Sequence, residues 1–175
     1  AGALSRLCTD SILVKSEMKK NHFAPSHDVY EDWALSFKLD VMYSKAGNLK
    51  NLLLELDAFP ALRRCYRRWL EELLNLRDSE SIPEVIEAIR ATDVPQYWCD
   101  DTIVAVLLLE DVSRFFAEAE NDLLLNDASL LIDVLQMLLV GCRVSWTIET
   151  GSSKGGNEFY LPYGRGWIHI VPLIN

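Results

Sequence analysis

Seven consecutive apolar residues, Ile103 to Leu109, set the strongest constraint on how this chain can fold. A helix turns by about 100° per residue, so one carrying this run is apolar on every side and has to be surrounded by other elements. The run is far shorter than the ~18 to 20 residues of a membrane span. It predicts instead the central helix of a bundle, running from Val94 towards Glu120. With 175 residues, half of them hydrophobic, the chain has the size of one domain. Such a chain buries roughly two-thirds of its unfolded surface, which a fold of this length needs to stand without metal or disulfides.

Other segments supply the surrounding helices. Leu4, Leu7, Cys8, Ile12 and Leu13 recur at three- and four-residue spacing and predict a first helix towards Lys20. Asp28 three residues before Glu31 has the pattern of a capping box. The helix it opens carries Val29, Tyr30, Trp33, Phe37 and Val41 on one stripe and ends at Gly47. A short helix follows, with Leu49, Leu52, Leu53 and Leu56 inward, and Pro60 begins the next one. That helix, to Leu76, gathers Leu62, Cys65, Tyr66, Trp69, Leu70, Leu73 and Leu76 on one side. Ser81 to Glu84 and Asp93 to Gln96 each combine a cap, a proline and an acceptor three residues on, marking two more starts. A last helix spans about 127–140, and Gly141 stops it.

Beyond Gly141 the period changes to two: Val144, Trp146 and Ile148 alternate with polar residues. Turn signals at Gly151–Gly156 and Pro162–Gly166 then separate Glu158–Leu161 from Trp167–Leu173. The expected fold is α+β and mainly α: a bundle of six or seven helices over 1–140 with a three-stranded antiparallel meander over 141–175, all in a single domain.

The formal charge of −9 is unevenly placed. Residues 1–77 hold 12 basic and 10 acidic groups, 78–133 hold 2 basic and 14 acidic, and 134–175 hold 3 basic and 2 acidic. This balance counts against a nucleic-acid binder, whose affinity comes largely from Lys and Arg. On the long helix, Asp100, Asp111 and Glu118 fall on one stripe, with Asp101 and Glu110 beside it and Glu120 and Asp122 at its end. Such a field can steer a basic partner. Arg63, Arg64, Arg67 and Arg68 form a counter-feature that could clamp an anion, although surface pairing to Glu71 and Glu72 or to acidic helices of the same fold is the simpler reading.

No residue pattern carries catalysis. Cys8, Cys65, Cys99 and Cys142 form no Cys-x-x-Cys pair, and buried free thiols are the expectation. His22 and His27 match no zinc spacing, and His169 reads as a strand residue. Gly151–Gly156 lacks the order of a phosphate loop. Adjacent carboxylates such as Asp100 and Asp101 diverge on a helix. Tyr163 and Arg165, in a glycine-flanked turn, are residue types common at binding hot spots.

These readings predict a small acidic cytoplasmic protein that binds another protein, with no cofactor, metal, nucleic acid or membrane. Its expected role is a neutralising inhibitor of the immunity or antitoxin type, occluding a basic enzyme through Asp100, Asp101, Glu110, Asp111, Glu118, Glu120 and Asp122, with Tyr163 and Arg165. The alternatives are a chaperone or adaptor holding a partner helix in an apolar groove between bundle and meander, and an enzyme with an anion site at the arginines.

Overall fold

The computed structural model describes residues 2–15, 22–76, 81–148, 157–162, 168 and 170. Helix α1 (Ala3–Thr9) is short and fully buries none of its residues. The chain reverses at Ser11, where φ is 57°. Strand β1 (Leu13–Lys15) then pairs antiparallel with β2 (Phe23–Pro25), Leu13 facing Pro25. The single helix expected to reach Lys20 is therefore not formed. A stripe with no deep contact offers little to propagate a helix through β-branched Ile12 and Val14.

Helices α2 (Asp28–Ala46), α3 (Leu49–Glu55) and α4 (Pro60–Leu76) begin and end near the predicted signals. Gly47, at φ 77°, closes α2 and returns its N–H to the Tyr43 carbonyl at 3.0 Å, the left-handed stop that glycine takes without strain. Helices α5 (Ile82–Arg90) and α6 (Gln96–Leu107) follow. α6 is central: it packs on α4, α5 and α7, and every residue of the 103–109 run except Leu108 is buried. On α4 the inward side ends with Leu74, whereas Leu76 is exposed.

The helix expected to continue to Glu120 breaks after Leu107, and α7 (Ser113–Val140) starts afresh. Asp111 explains the restart. Its carboxylate accepts from the Ser113 N–H at 3.2 Å and from the Ser113 hydroxyl, satisfying a donor that a new helix start leaves open. α7 is itself two stretches. Leu125 is extended, and Asn126, Asp127 and Ala128 have φ of 52°, 57° and 58°. By length and composition α7 is long and apolar enough to cross a membrane. The break falls inside that length, however, and Phe115, Leu123, Val134 and Leu138 are buried in the common core. Leu124, Leu125, Ile132, Leu139 and Val140 of the same helix are exposed, so α7 gives the core one side and keeps an apolar side outward.

Gly141 lies against α6 for want of space: a Cβ there would stand 2.6 Å from Val104 Cγ2. Strand β3 (Arg143–Ile148) pairs antiparallel with β4 (Asn157–Pro162), Arg143 facing Pro162 and Ile148 facing Asn157. This hairpin replaces the three-stranded meander. Ile168 and Ile170, the described residues of the expected third strand, have helical backbone, with Ile170 buried and Ile168 exposed. A short apolar run does not distinguish strand from helix by its period, and Pro172 offers no N–H to a ladder. Among the described residues the fold is thus mainly helical, with seven helices and two two-stranded sheets.

Candidate docking face

Helix α2 is apolar on two sides. Leu39 is buried, with Leu35, Met42, Tyr43 and Ala46 packed against the core, and these positions make one stripe at helical spacing. Val29, Trp33, Phe37 and Val41 lie on a roughly opposite side, and all four are exposed: Trp33 is 67% and Phe37 71% accessible. Tyr30 meets Trp33 edge-on, the ring centroids 5.9 Å apart. Two aromatic rings standing in water on one helix are the kind of surface apolar patch that marks a contact site.

Beside this stripe, between α2 and α4, runs an open groove of about 470 Å³. Trp33, Val29 and Ser36 form one wall, and Arg64, Cys65, Arg68, Trp69 and Glu72 the other, with Asp32 at the joint. Several contacts hold the walls. Trp69 Nε1 donates to Asp40 at 2.8 Å, Arg64 donates to Asp32 at 2.9 Å, and the Cys65 thiol faces the Asp32 carbonyl at 3.5 Å. Burial, and then Asp32, push the Cys65 thiol up to about 11, so it stays protonated and contributes bulk rather than a nucleophile.

The arginine cluster divides between two sides of α4. Arg63 Nε donates to Asp101 at 2.5 Å and Arg67 stands 3.8 Å from the same carboxylate. That hydrogen bond raises the Arg63 pKa. Arg64 turns to Asp32 and Glu31, and Arg68 to Glu72 at 3.1 Å. The four guanidinium groups therefore do not converge on one anion position.

Of the acidic residues anticipated as a partner surface, three have work inside the fold. Asp101 is only 4% accessible beneath Arg63, Asp111 accepts from the Ser113 N–H where α7 begins, and Asp122 pairs with Arg90. Asp100 accepts from Gln96 at 3.0 Å. Glu110, Glu118 and Glu120 are exposed. The helix break between Leu107 and Ser113 divides the expected stripe, placing Asp100 on α6, Asp111 in the turn and Glu118 on α7. Tyr163, Arg165 and His169 lie outside the described residues. His27 caps α2, its Nδ1 accepting from the Val29 N–H at 3.2 Å, where Asp28 was expected to act. No group of three or more His, Cys, Asp or Glu able to hold a metal is found among the described residues.

The Val29, Trp33, Phe37 and Val41 stripe alone gives α2 the pattern of a helix with one apolar side, which hides its outward face. The missing signal is the second stripe, since a helix on one core can bury only one of two opposed sides. No protein-family model, curated protein or solved structure matches the chain.

Proposed function

We propose that this chain is a protein-binding module whose docking surface is the outer face of α2 with the adjoining α2–α4 groove. The exposure of Trp33 and Phe37 on one helix face carries this reading. Large aromatic side chains lose little conformational entropy on binding and bury much area, so they dominate the interfaces in which they occur. The groove supplies a polar rim of Arg64, Arg68 and Glu72 around an apolar floor, the usual anatomy of a contact patch. This is the adaptor class of function, with the groove at α2–α4 rather than between bundle and hairpin.

Binding of a hydrophobic fluorescent dye to the chain in dilute solution tests the surface. Trp33→Asp combined with Phe37→Asp should remove most of the dye signal with unchanged helicity and melting temperature, because neither side chain supports the core. Undiminished dye binding by that variant would sink the assignment.

A second reading keeps the neutralising inhibitor of a basic enzyme. It draws on Glu110, Glu118 and Glu120, which remain exposed in the acidic 78–133 segment. It predicts association that weakens steeply with salt and with Glu118→Gln plus Glu120→Gln; contact through α2 is insensitive to those two substitutions.

A further inference from the structure

We infer that the partner docked on the outer face of α2 is an amphipathic helix of another protein, with carboxylates along one edge that meet Lys38 and Lys45. The inference rests on the docking-face reading above and names the occupant of that face. The exposed ridge runs Val29, Trp33, Phe37 and Val41, each four residues from the next. At 1.5 Å per residue it extends about 18 Å along the axis, roughly three turns. Rows at this spacing interdigitate in the commonest class of helix crossing, and a helix laid along an apolar groove is a recurrent mode of recognition.

The edge of the face selects the partner. At about 100° per residue, the outward sector of α2 passes from Trp33 through Phe37 and Val41 to Lys45 and Lys38, about 40° and 60° beyond Val41. A helix resting between Phe37 and Val41 has both lysines at its side, where paired helices carry their flanking charges. The two lysines are seven residues apart, so they stand in line along the axis. Both are exposed, and among the described residues neither makes an ion pair. Three carboxylates of α2, by contrast, have partners on α4: Asp32 accepts from Arg64, Glu31 lies 3.9 Å from the same guanidinium, and Asp40 accepts from Trp69. The α4 rim is likewise balanced by the Arg68–Glu72 pair. Two uncompensated positive charges therefore line one edge of an apolar face. Elsewhere the chain, with 14 acidic against 2 basic groups in residues 78–133, repels carboxylates. The lysine edge thus fixes where an acidic-edged helix lands.

The probe is a fluorophore-tagged synthetic helix of about three heptads, with leucine and phenylalanine on its apolar side and glutamates at heptad spacing along one edge. Its twin carries lysine in place of each glutamate. In fluorescence anisotropy at low salt, the glutamate peptide should bind the whole chain about tenfold more tightly than its twin. Trp33→Asp with Phe37→Asp should abolish binding of both. Lys38→Gln with Lys45→Gln should level the two affinities. Asn121→Glu with Gln136→Glu, which lowers the net charge equally at exposed positions of α7, should leave the preference in place. Equal affinity of the two peptides for the parent chain, no binding of either, or a preference that survives Lys38→Gln with Lys45→Gln overturns the inference. So does a chain that, without peptide, dimerises or sediments with phosphatidylcholine vesicles through Trp33 and Phe37, because a second copy or a lipid surface then takes the face. If dye binding still depends on Trp33 and Phe37 in any of these cases, the docking-face reading survives; if it does not, both fall.

Discussion

Asp101 lies beneath Arg63, its Oδ2 2.5 Å from the guanidinium Nε, and so ties the central helix α6 to the polar side of α4. The contact turns a residue of the acidic segment inward and leaves the charge of that segment on other positions. Arg63 also lies over the Tyr97 ring, 5.5 Å from its centroid, so the pair is held from two directions.

Asp101→Asn is therefore expected to destabilise the fold by about 1–3 kcal/mol, the range for a charge-assisted hydrogen bond with one partner buried. Glu118→Gln, at an exposed position of the same segment, should stay within about 0.5 kcal/mol of the parent. Urea denaturation of the two variants decides the matter: equal midpoints would mean that the Arg63–Asp101 contact contributes nothing to the folded state.

The left-handed residues inside α7 make a prediction of opposite sign to the usual one. Glycine in a helix interior costs about 1 kcal/mol relative to alanine. At Ala128, where φ is 58°, an L side chain carries a penalty of roughly 1–2 kcal/mol that glycine does not. Ala128→Gly should raise the unfolding free energy, while Ala117→Gly, on the exposed side of the first stretch, should lower it by about 1 kcal/mol. A loss at both positions would mean that α7 is one continuous helix.

Thiol reactivity should separate the four cysteines. Burial pushes Cys65 and Cys142 up to about 11 and raises Cys99 as well; all three are buried, whereas Cys8 is half-exposed on α1. At pH 8 an aromatic disulfide reagent should label one thiol per native chain rapidly and the other three only on unfolding. Cys8→Ser should remove the fast phase, and a fast phase that persists in that variant would contradict the packing.

Acid should stabilise rather than weaken two carboxylates. Burial, then Asp100, raises the Asp133 pKa, and burial, then Glu72, raises that of Glu71. A carboxyl whose folded-state pKa is raised binds protons better folded than unfolded. Its contribution is fully present below the unfolded pKa and is lost as pH rises through the folded value. Asp133→Asn is thus expected to be more stable than the parent at pH 7, by under about 1 kcal/mol because water screens a half-exposed group. The gap should close below the ordinary aspartate value of about 3.9. Melting temperatures of both proteins from pH 3 to 7, on the order of the carboxylate range, provide the check.

How much of this was legible in the sequence depends on the length scale of the signal. The starts at Pro60, Ser81–Pro83 and Val94–Gln96 and the stop at Gly47 are local, and the helices begin or end there. The mechanisms assigned to those starts were not local. Glu84 reaches α3 instead of the start of its own helix, and Asp93 pairs with Lys50 at 3.0 Å. Tertiary partners outcompeted the capping boxes. Asp111 and Ser113 break the 94–120 periodicity only through a local side-chain bond, and on a helical wheel Asp111 simply joins the acidic stripe, so the pattern reads as one helix where the fold has two. The Trp33–Phe37 face required knowing which side of a doubly apolar helix the core would use, and that depends on where α4 lies.

The Glu84 carboxylate accepts from Tyr43 Oη at 2.9 Å and from the Leu49 N–H at the start of α3, residues 41 and 35 positions earlier in the chain. Contacts this distant in sequence form late, because closing the intervening loop costs entropy before any contact repays it. The corner between α2 and α3 is therefore completed from downstream. During vectorial synthesis it waits for α5, and a chain cut short after Leu76 would hold both helices without the group that fastens them.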